Sequence, residues 1–334
     1  DNDSKNTLNN LSCSGGQVAQ WDGAAWICGE VSQGNIGDGA SDLTVSANVN
    51  WSLTPPSSLN FGNFTVNEGV TLIVPAGITL RCTGAFTNNG AIVVQTGARG
   101  GNGAQTDYSF NYRAFAHPGD SYGAAGNGGH DLAIPASGDL QLWGEGGKGI
   151  PEAAAASSYG LFRIGGGGGG AGVIAGEGGG LIKVHCKGAI TNAATGIIQA
   201  NAANGSSTSG GGGGGIIVLT SQTSVENAGT LEANGGNGGD SQVFAYGGGG
   251  GGGGIIVLVS PNNTNTGTAS VSGGAAGAQS VVPNQTYGSG GGGGGACGGD
   301  GGIGGSNTSG SVNAPMDGGS GYVLTITSNP VSMF

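Results

Sequence analysis

The chain has 334 residues, of which 81 are glycine, only 8% are charged, and the formal net charge is −11. Glycine is thus about a quarter of the chain against roughly 7% in ordinary proteins, yet it lacks the every-third-residue period of collagen. Eight Lys and Arg in total exclude the basic surface that nucleic acid or an anionic membrane needs, and no apolar run approaches the ~20 residues of a membrane-spanning helix.

Residues 1–36 read as a separate N-terminal piece. The sequence opens Asp1-Asn2-Asp3-Ser4 without methionine, which fits a processed, exported chain. Gln17–Trp21 and Trp26–Cys28 alternate around Asp22-Gly23, a two-residue hairpin signal, and Cys13 and Cys28 bracket that hairpin as a disulfide pair. Trp21 and Trp26 are its candidate assembly residues. The run Cys13-Ser14-Gly15-Gly16-Gln17-Val18-Ala19-Gln20-Trp21-Asp22-Gly23, with Trp26 and Cys28, resembles a short cysteine-bounded module of bacterial surface proteins and phage tail-fibre proteins. That resemblance implies a stalk or anchoring piece with no catalytic role.

Residues 37–334 read as a glycine-rich β-solenoid. Over 37–104, Leu43–Val45, Phe64–Val66, Val70–Val74 and Ile78–Cys82 are short alternating strands. Asn67-Glu68-Gly69 and Pro75-Ala76-Gly77 are the turns between them, giving a rung-like spacing of about eight residues. Residues 105–164 read as an insertion between rungs, rich in groups scarce elsewhere. Solenoid insertions gather on one face, often the binding one, so Tyr108, Tyr112, Arg113, Tyr122 and Trp143 are receptor-binding candidates; a passive cap over the solenoid is the alternative.

Beyond the insertion one phrase recurs: a glycine run, then an aliphatic strand. Gly210–Gly215 precedes Ile216–Leu219, Gly247–Gly254 precedes Ile255–Val259, Gly176–Gly180 precedes Leu181–Val184, and Gly319-Ser320-Gly321 precedes Tyr322–Ile326. A second strand follows three of these copies, after Gly196, Gly229 and Gly267, and an earlier relative follows Gly90. The unit repeats every 35 to 40 residues or so, the range of stacked repeat folds, in which one unit cannot bury its apolar face alone. Leu80–Asn88 aligns with Val184–Asn192, which puts Cys82 beside Cys186 on adjacent strands ~4.8 Å apart, within disulfide reach; two buried thiols are the alternative. Cys297 is left over, and the five cysteines favour an oxidising, extracellular setting.

Ordering a glycine costs ~1–2 kcal/mol of backbone entropy, so ordered runs need compensation. Extended glycine chains with three residues per turn can pack side by side, because no Cβ keeps them apart. A six-residue run at ~3.1 Å per residue spans about 19 Å, and a six-residue strand about 20 Å, so a glycine layer fits along a strand layer. The expected fold is therefore all-β: a β-helix-like stack with packed polyglycine II-type segments. The strands and repeats resemble the parallel β-helix passenger regions of secreted bacterial proteins. The glycine runs resemble the receptor-binding tip adhesins of some phage tail fibres, which implies polyglycine packing in a lattice.

Recognisable chemistry is sparse. Strands rather than helices follow the glycines, which excludes a phosphate loop. Gly235–Val243 approaches a calcium-binding nonapeptide, but as a single copy with Gln242 in the apolar position. His117, Asp120, His130 and Asp131 match no metal spacing. Asp120, Asp131, Asp139, Glu145 and Glu152 supply carboxylates for a polysaccharide-cleaving alternative. No cofactor is implied. The leading expectation is a non-enzymatic, secreted structural protein that assembles head to tail with itself into a fibre or appendage, with Tyr322, Val331 and Phe334 as further assembly candidates. The alternative is an adhesin that grips a surface glycan or outer-membrane receptor through 105–164 and the loops carrying Phe244 and Tyr246.

Overall fold

The computed structural model describes residues 17–21, 26–30, 41–97, 146–162, 174–241, 246–279, 298–308 and 311–331, with shorter pieces at 165–167, 169, 287–289, 293 and 296. From residue 43 the chain winds through six turns, each contributing one strand to each of three parallel six-stranded sheets. We call these sheets I, II and III in the order the chain visits them. The first turn uses Leu43–Val45, Val49–Asn50 and Asn60–Phe61. The last uses Asn262–Asn265, Thr268–Ser270 and Tyr322–Thr327. The fold is a β-helix, as the repeats predict.

The predicted alignment of copies is the observed register. Val184 pairs with Leu80, Cys186 with Cys82, Asn192 with Asn88, Ile216 with Ile255, and Ile255 with Tyr322. The rung spacing needs correction. From Phe64 to Phe86 successive strands begin seven or eight residues apart, whereas the first complete turns take 21 and 22 residues. Later turns take 104, 35 and 38. All the extra chain leaves at one corner, between a sheet II strand and the following sheet III strand. Gly69 and Gly77 have φ of 73° and 83° in the short turns of the second coil, a left-handed conformation that glycine enters without Cβ strain.

The interior explains the strand sequences. Phe64 and Phe86 stack at 5.2 Å with an interplanar angle of 4°, and Leu72, Leu80, Ile92, Val184, Ile190, Ile198, Ile217 and Ile256 fill the core without exposure. Sheets I and II alternate, one face in and one out. Sheet III does not, and every residue of Ile216–Ser221 and Ile255–Ser260 is buried. Its outer face carries a second apolar cluster, in which Leu181, Ile216, Val218, Ile255 and Val257 meet Ile150, Ala155 and Phe162. A parallel sheet covered on both faces reads as a continuous aliphatic run, hence Ile-Ile-Val-Leu. The cover includes a helix, α1 (Glu152–Ser158), which starts after Pro151 and has Glu152 in its first turn, where an acid suits the helix dipole.

The N-terminal hairpin is present as Gln17–Trp21 against Trp26–Glu30. Trp21 pairs with Trp26, so the connection is the four residues 22–25 and not a two-residue turn at Asp22-Gly23. Cys82 and Cys186 stand in register as expected, but as free, buried thiols. The bond is missing for a geometric reason. Register partners on parallel strands point their Cβ atoms the same way at the ~4.8 Å strand spacing, beyond the 3.5–4.5 Å or so that a disulfide needs. Burial, and then the neighbouring Cys82, push the Cys186 thiol well above its usual pKa. Cys13 and Cys297 lie outside the described residues, and Cys28 is described only as part of its strand.

Candidate binding surface

The chain that leaves the open corner builds a glycine lattice beside sheet III. In Gly210–Gly215, Gly211 and Gly214 donate to Gly249 and Gly252, Gly212 and Gly215 donate to Ala203 and Ala200, and Gly213 donates to Gly167. Successive N–H groups thus point in three directions, and the same direction returns every third residue. That is the signature of a three-per-turn extended helix. The run 247–254 lies deepest. It is hydrogen-bonded to 210–215, 233–239, 271–277, 299–302 and 316–319 at 2.7–3.0 Å. A Cβ added to Gly250, Gly251 or Gly253 would stand 1.9, 1.8 or 1.9 Å from a neighbouring carbonyl oxygen. The runs are therefore a packed layer, and glycine is required because chains this close leave no room for a side chain.

One wall of the lattice admits side chains at every third position. The outgoing segments 200–205, 233–239 and 271–277 stack in order, with Ala202 and Gly205 donating to Asn234 and Asn237, and Gly235 and Gly238 donating to Ser272 and Ala275. Asn204, Asn237, Asp240, Ser272, Ala275 and Ala278 are exposed, while Gly236, Gly239, Gly274 and Gly277 are buried. The side chains also serve the backbone. Oδ1 of Asn201 accepts from Asn234 N, Asn204 from Asn237 N, Asn234 from Ser272 N, Asn237 from Ala275 N and Asp240 from Ala278 N, all at 2.7–2.9 Å. Each layer thereby satisfies the outward N–H groups of the next. Within the calcium-like stretch, the Asn237 and Asp240 side-chain oxygens accept from backbone amides of the next layer. Among the described residues no three His, Cys, Asp or Glu side chains converge as a metal site.

The described ends of successive outgoing segments lie side by side at the tip of the lattice. Thr208 N donates to Asp240 O at 3.0 Å and Ser241 N to Ala278 O at 2.9 Å. An open groove of about 480 Å³ runs over this region between Ser207, Asn237, Asp240 and Ala275. Of the sequence-derived receptor candidates, Tyr246 is 4% exposed and packs inward, so its ring is not available to a partner. Tyr108, Tyr112, Arg113, Tyr122, Trp143 and Phe244 lie outside the described residues. The described end of the insertion, 146–162, is structural: it joins the lattice through Gly147 and covers sheet III through Ile150, Ala155 and Phe162. Tyr322 is half-buried in the last sheet III strand, Val331 is 60% exposed, and Phe334 lies outside the described residues.

Two features of the β-helix went unread in the sequence. The first is a buried ladder. Asn88 Nδ2 donates to Asn192 Oδ1 at 2.8 Å, Asn192 to Asn227 at 2.7 Å, and Asn227 to Asn265 at 2.7 Å. Each Nδ2 also reaches a carbonyl at the turn into sheet II, as Asn192 does at Gly196 O and Thr230 O. The signal was the asparagine that closes the sheet I strand in every copy from Asn88 onward. The second is a change of character along the core. In the last turn Asn263 follows Val225, Ala269 follows Leu231, and Thr325 follows Leu258. Asn263 Nδ2 bonds Ser260 O and Ile326 O, each at 3.1 Å. The core-facing positions of the first turn are apolar, with Val45, Trp51 and Phe61 buried and Leu43, Val49 and Leu59 packed against them.

His185 is buried on the outer face of sheet III, 5% exposed. Burial, then the nearby Arg81 and Lys183, lower its pKa to about 4, so it is neutral at pH 7. No helix among the described residues is long and apolar enough to cross a membrane. Comparison with protein-family models, curated proteins and solved structures returned no match.

Proposed function

We propose that this chain is a non-enzymatic extracellular binding module, the terminal unit of a fibre or appendage. The β-helix is its rigid stem and the glycine lattice presents loops to a surface glycan or outer-membrane receptor. The observation that carries this reading is the tip of the lattice. The described ends of successive turns there, Ser206–Ser209, Asp240–Ser241 and Ala278, are held side by side on a support that is hydrogen-bonded in three directions, so the ordering cost of these segments is met before a partner arrives. The resemblance of the glycine runs to phage tail-fibre tip adhesins points the same way. The polar last turn also fits a terminal position, because solenoids end in a turn whose free face is polar.

The experiment is a loop exchange. Replacing 242–245 with a Gly-Ser segment of equal length, and separately deleting 105–140, should abolish adhesion of the purified protein to its target cells while leaving the circular dichroism spectrum intact. Undiminished adhesion by both variants refutes the reading. The second reading is a subunit of a self-assembling filament, favoured by the apolar core positions of the first turn, whose three strands have no further strand paired beyond them among the described residues. Asn263 and Thr325 weigh against it, since head-to-tail stacking would bury them against Leu43 and Leu59. Electron microscopy that finds filaments in the purified protein would reverse this preference.

A further inference from the structure

Residues 146–149 enter the lattice from far along the chain. Gly301 N donates to Gly147 O at 2.8 Å and Gly147 N to Gly293 O at 3.0 Å. Gly149 N donates to Asp300 Oδ1 at 2.6 Å. Lys148 reaches the other oxygen of Asp300 at 3.4 Å, with the two side chains 80% and 54% exposed. Open grooves flank this ion pair. One, of about 440 Å³, extends to Met316 and Asp317. The other, of about 510 Å³, extends to Pro151 and Tyr322. Both are bordered by Lys148, Asp300 and Gly319.

Gly319 is what makes this a groove. A Cβ placed on Gly318 or Gly321 would stand 1.9 or 1.8 Å from a carbonyl oxygen, but on Gly319 the nearest atom is Asp300 N at 3.4 Å. Packing does not demand glycine at 319. A side chain there would fill the space that its absence leaves open.

We propose that this groove is a subsite for a neutral saccharide; the proposal rests on the binding-module reading and names its ligand class. A pyranose presents hydroxyls at its edges and C–H groups on its faces. Asp300 and Asp317 accept hydrogen bonds, Lys148 donates them, and the bare glycine backbone between offers carbonyl oxygens, each able to accept a second bond. Met316, 55% exposed, and the half-buried Tyr322 ring supply the apolar surface that suits a sugar face. Lys148 and Asp300 already neutralise each other, and Asp317 adds a negative charge, so an acidic sugar is disfavoured. A glycine-rich extended peptide, the other ligand shape that a lattice edge accepts, has no apolar face to set against Met316 and the Tyr322 ring.

The test uses the whole chain against immobilised mannan, β-glucan and galactan, with polygalacturonate and a Gly-Gly-Asn repeat peptide as contrasting probes. The expected result is binding to at least one neutral polysaccharide. Gly319→Phe should weaken it about tenfold or more, the scale of losing one anchoring contact, and Gly319→Ala should leave it unchanged. Should Gly319→Phe fail to fold, Lys148→Ala decides instead, with a several-fold loss expected. Binding that ignores these substitutions, preference for the polyuronate or the peptide, or no binding to any neutral polysaccharide overturns the proposal. Whole-cell adhesion separates the two claims. Cells held equally by wild type and Gly319→Phe sink the groove but leave the binding module standing, whereas a wild type that holds neither cells nor glycans sinks both.

Discussion

The lattice makes its sharpest commitment at Gly250. Substituting alanine places a methyl carbon 1.9 Å from Gly274 O and 2.5 Å from Gly274 C. Relieving that clash needs more than an ångström of movement by the 271–277 strand. This strand is tied by Gly274 N to Gly251 O at 2.7 Å, Gly277 N to Gly248 O at 2.9 Å, and Gly318 N to Gly274 O at 2.9 Å. Each net hydrogen bond is worth about 0.5–1.5 kcal/mol, and a buried group left unsatisfied costs about 1–3 kcal/mol. Against this, alanine restricts the unfolded chain by only about 0.4–1 kcal/mol. The balance is a loss of about 3–5 kcal/mol, with Gly250→Val worse. Gly319→Ala is the matched control, where the same methyl meets nothing closer than 3.4 Å, and it should be neutral or slightly stabilising. Thermal and denaturant melts followed by circular dichroism read both variants. If Gly250→Ala melts with wild type and Gly319→Ala, the glycine runs are tethers and the packed-layer argument is wrong.

Further outcomes follow from single side chains. Asn192→Leu removes the donor to Asn227 and the acceptor from Asn88, so it should cost about 2–4 kcal/mol, while Asn237→Asp, which keeps the acceptor for Ala275 N as Asp240 does for Ala278 N, should change a denaturant midpoint little. His185, with a folded pKa of about 4 against about 6.5 unfolded, stays neutral while the unfolded chain takes up a proton. Stability should therefore fall as pH drops from 6.5 towards 4 and level off below, by about 3 kcal/mol in all; a His185→Gln variant with the same pH-dependent melting slope would refute the assignment. Asn263→Val combined with Thr325→Val should convert the polar last turn into an apolar face and produce higher oligomers on size exclusion, and a strictly unchanged elution would deny that turn its capping role. Cys82 and Cys186 should resist alkylation in native protein and react in denaturant, as mass spectrometry would show.

Much of the architecture was legible because repetition is visible in one dimension. Identical positions in successive copies, Cys82 with Cys186 and Gly229 with Gly267, become neighbours in register as soon as the copies stack. The glycine runs announced close packing by their length and their fixed place before Ile-Ile-Val-Leu, since only a crowded backbone selects against every Cβ. What the sequence determined alone, then, was that the chain is a stack and that its glycines are a layer. The tertiary structure decided the rest. It showed that a turn has three strands, that every insertion leaves one corner, and that sheet III is covered by Ile150, Ala155 and Phe162. It turned the recurrent asparagines into two ladders, one buried from Asn88 to Asn227 and ending at exposed Asn265, and one at the surface from Asn201 to Asp240. It also buried Tyr246 and left Gly319 bare. The physical reason is that these outcomes depend on which strands from distant parts of the chain become neighbours. A hydrogen-bond partner or an open space is a property of that assembly, whereas a repeat is already a property of the string.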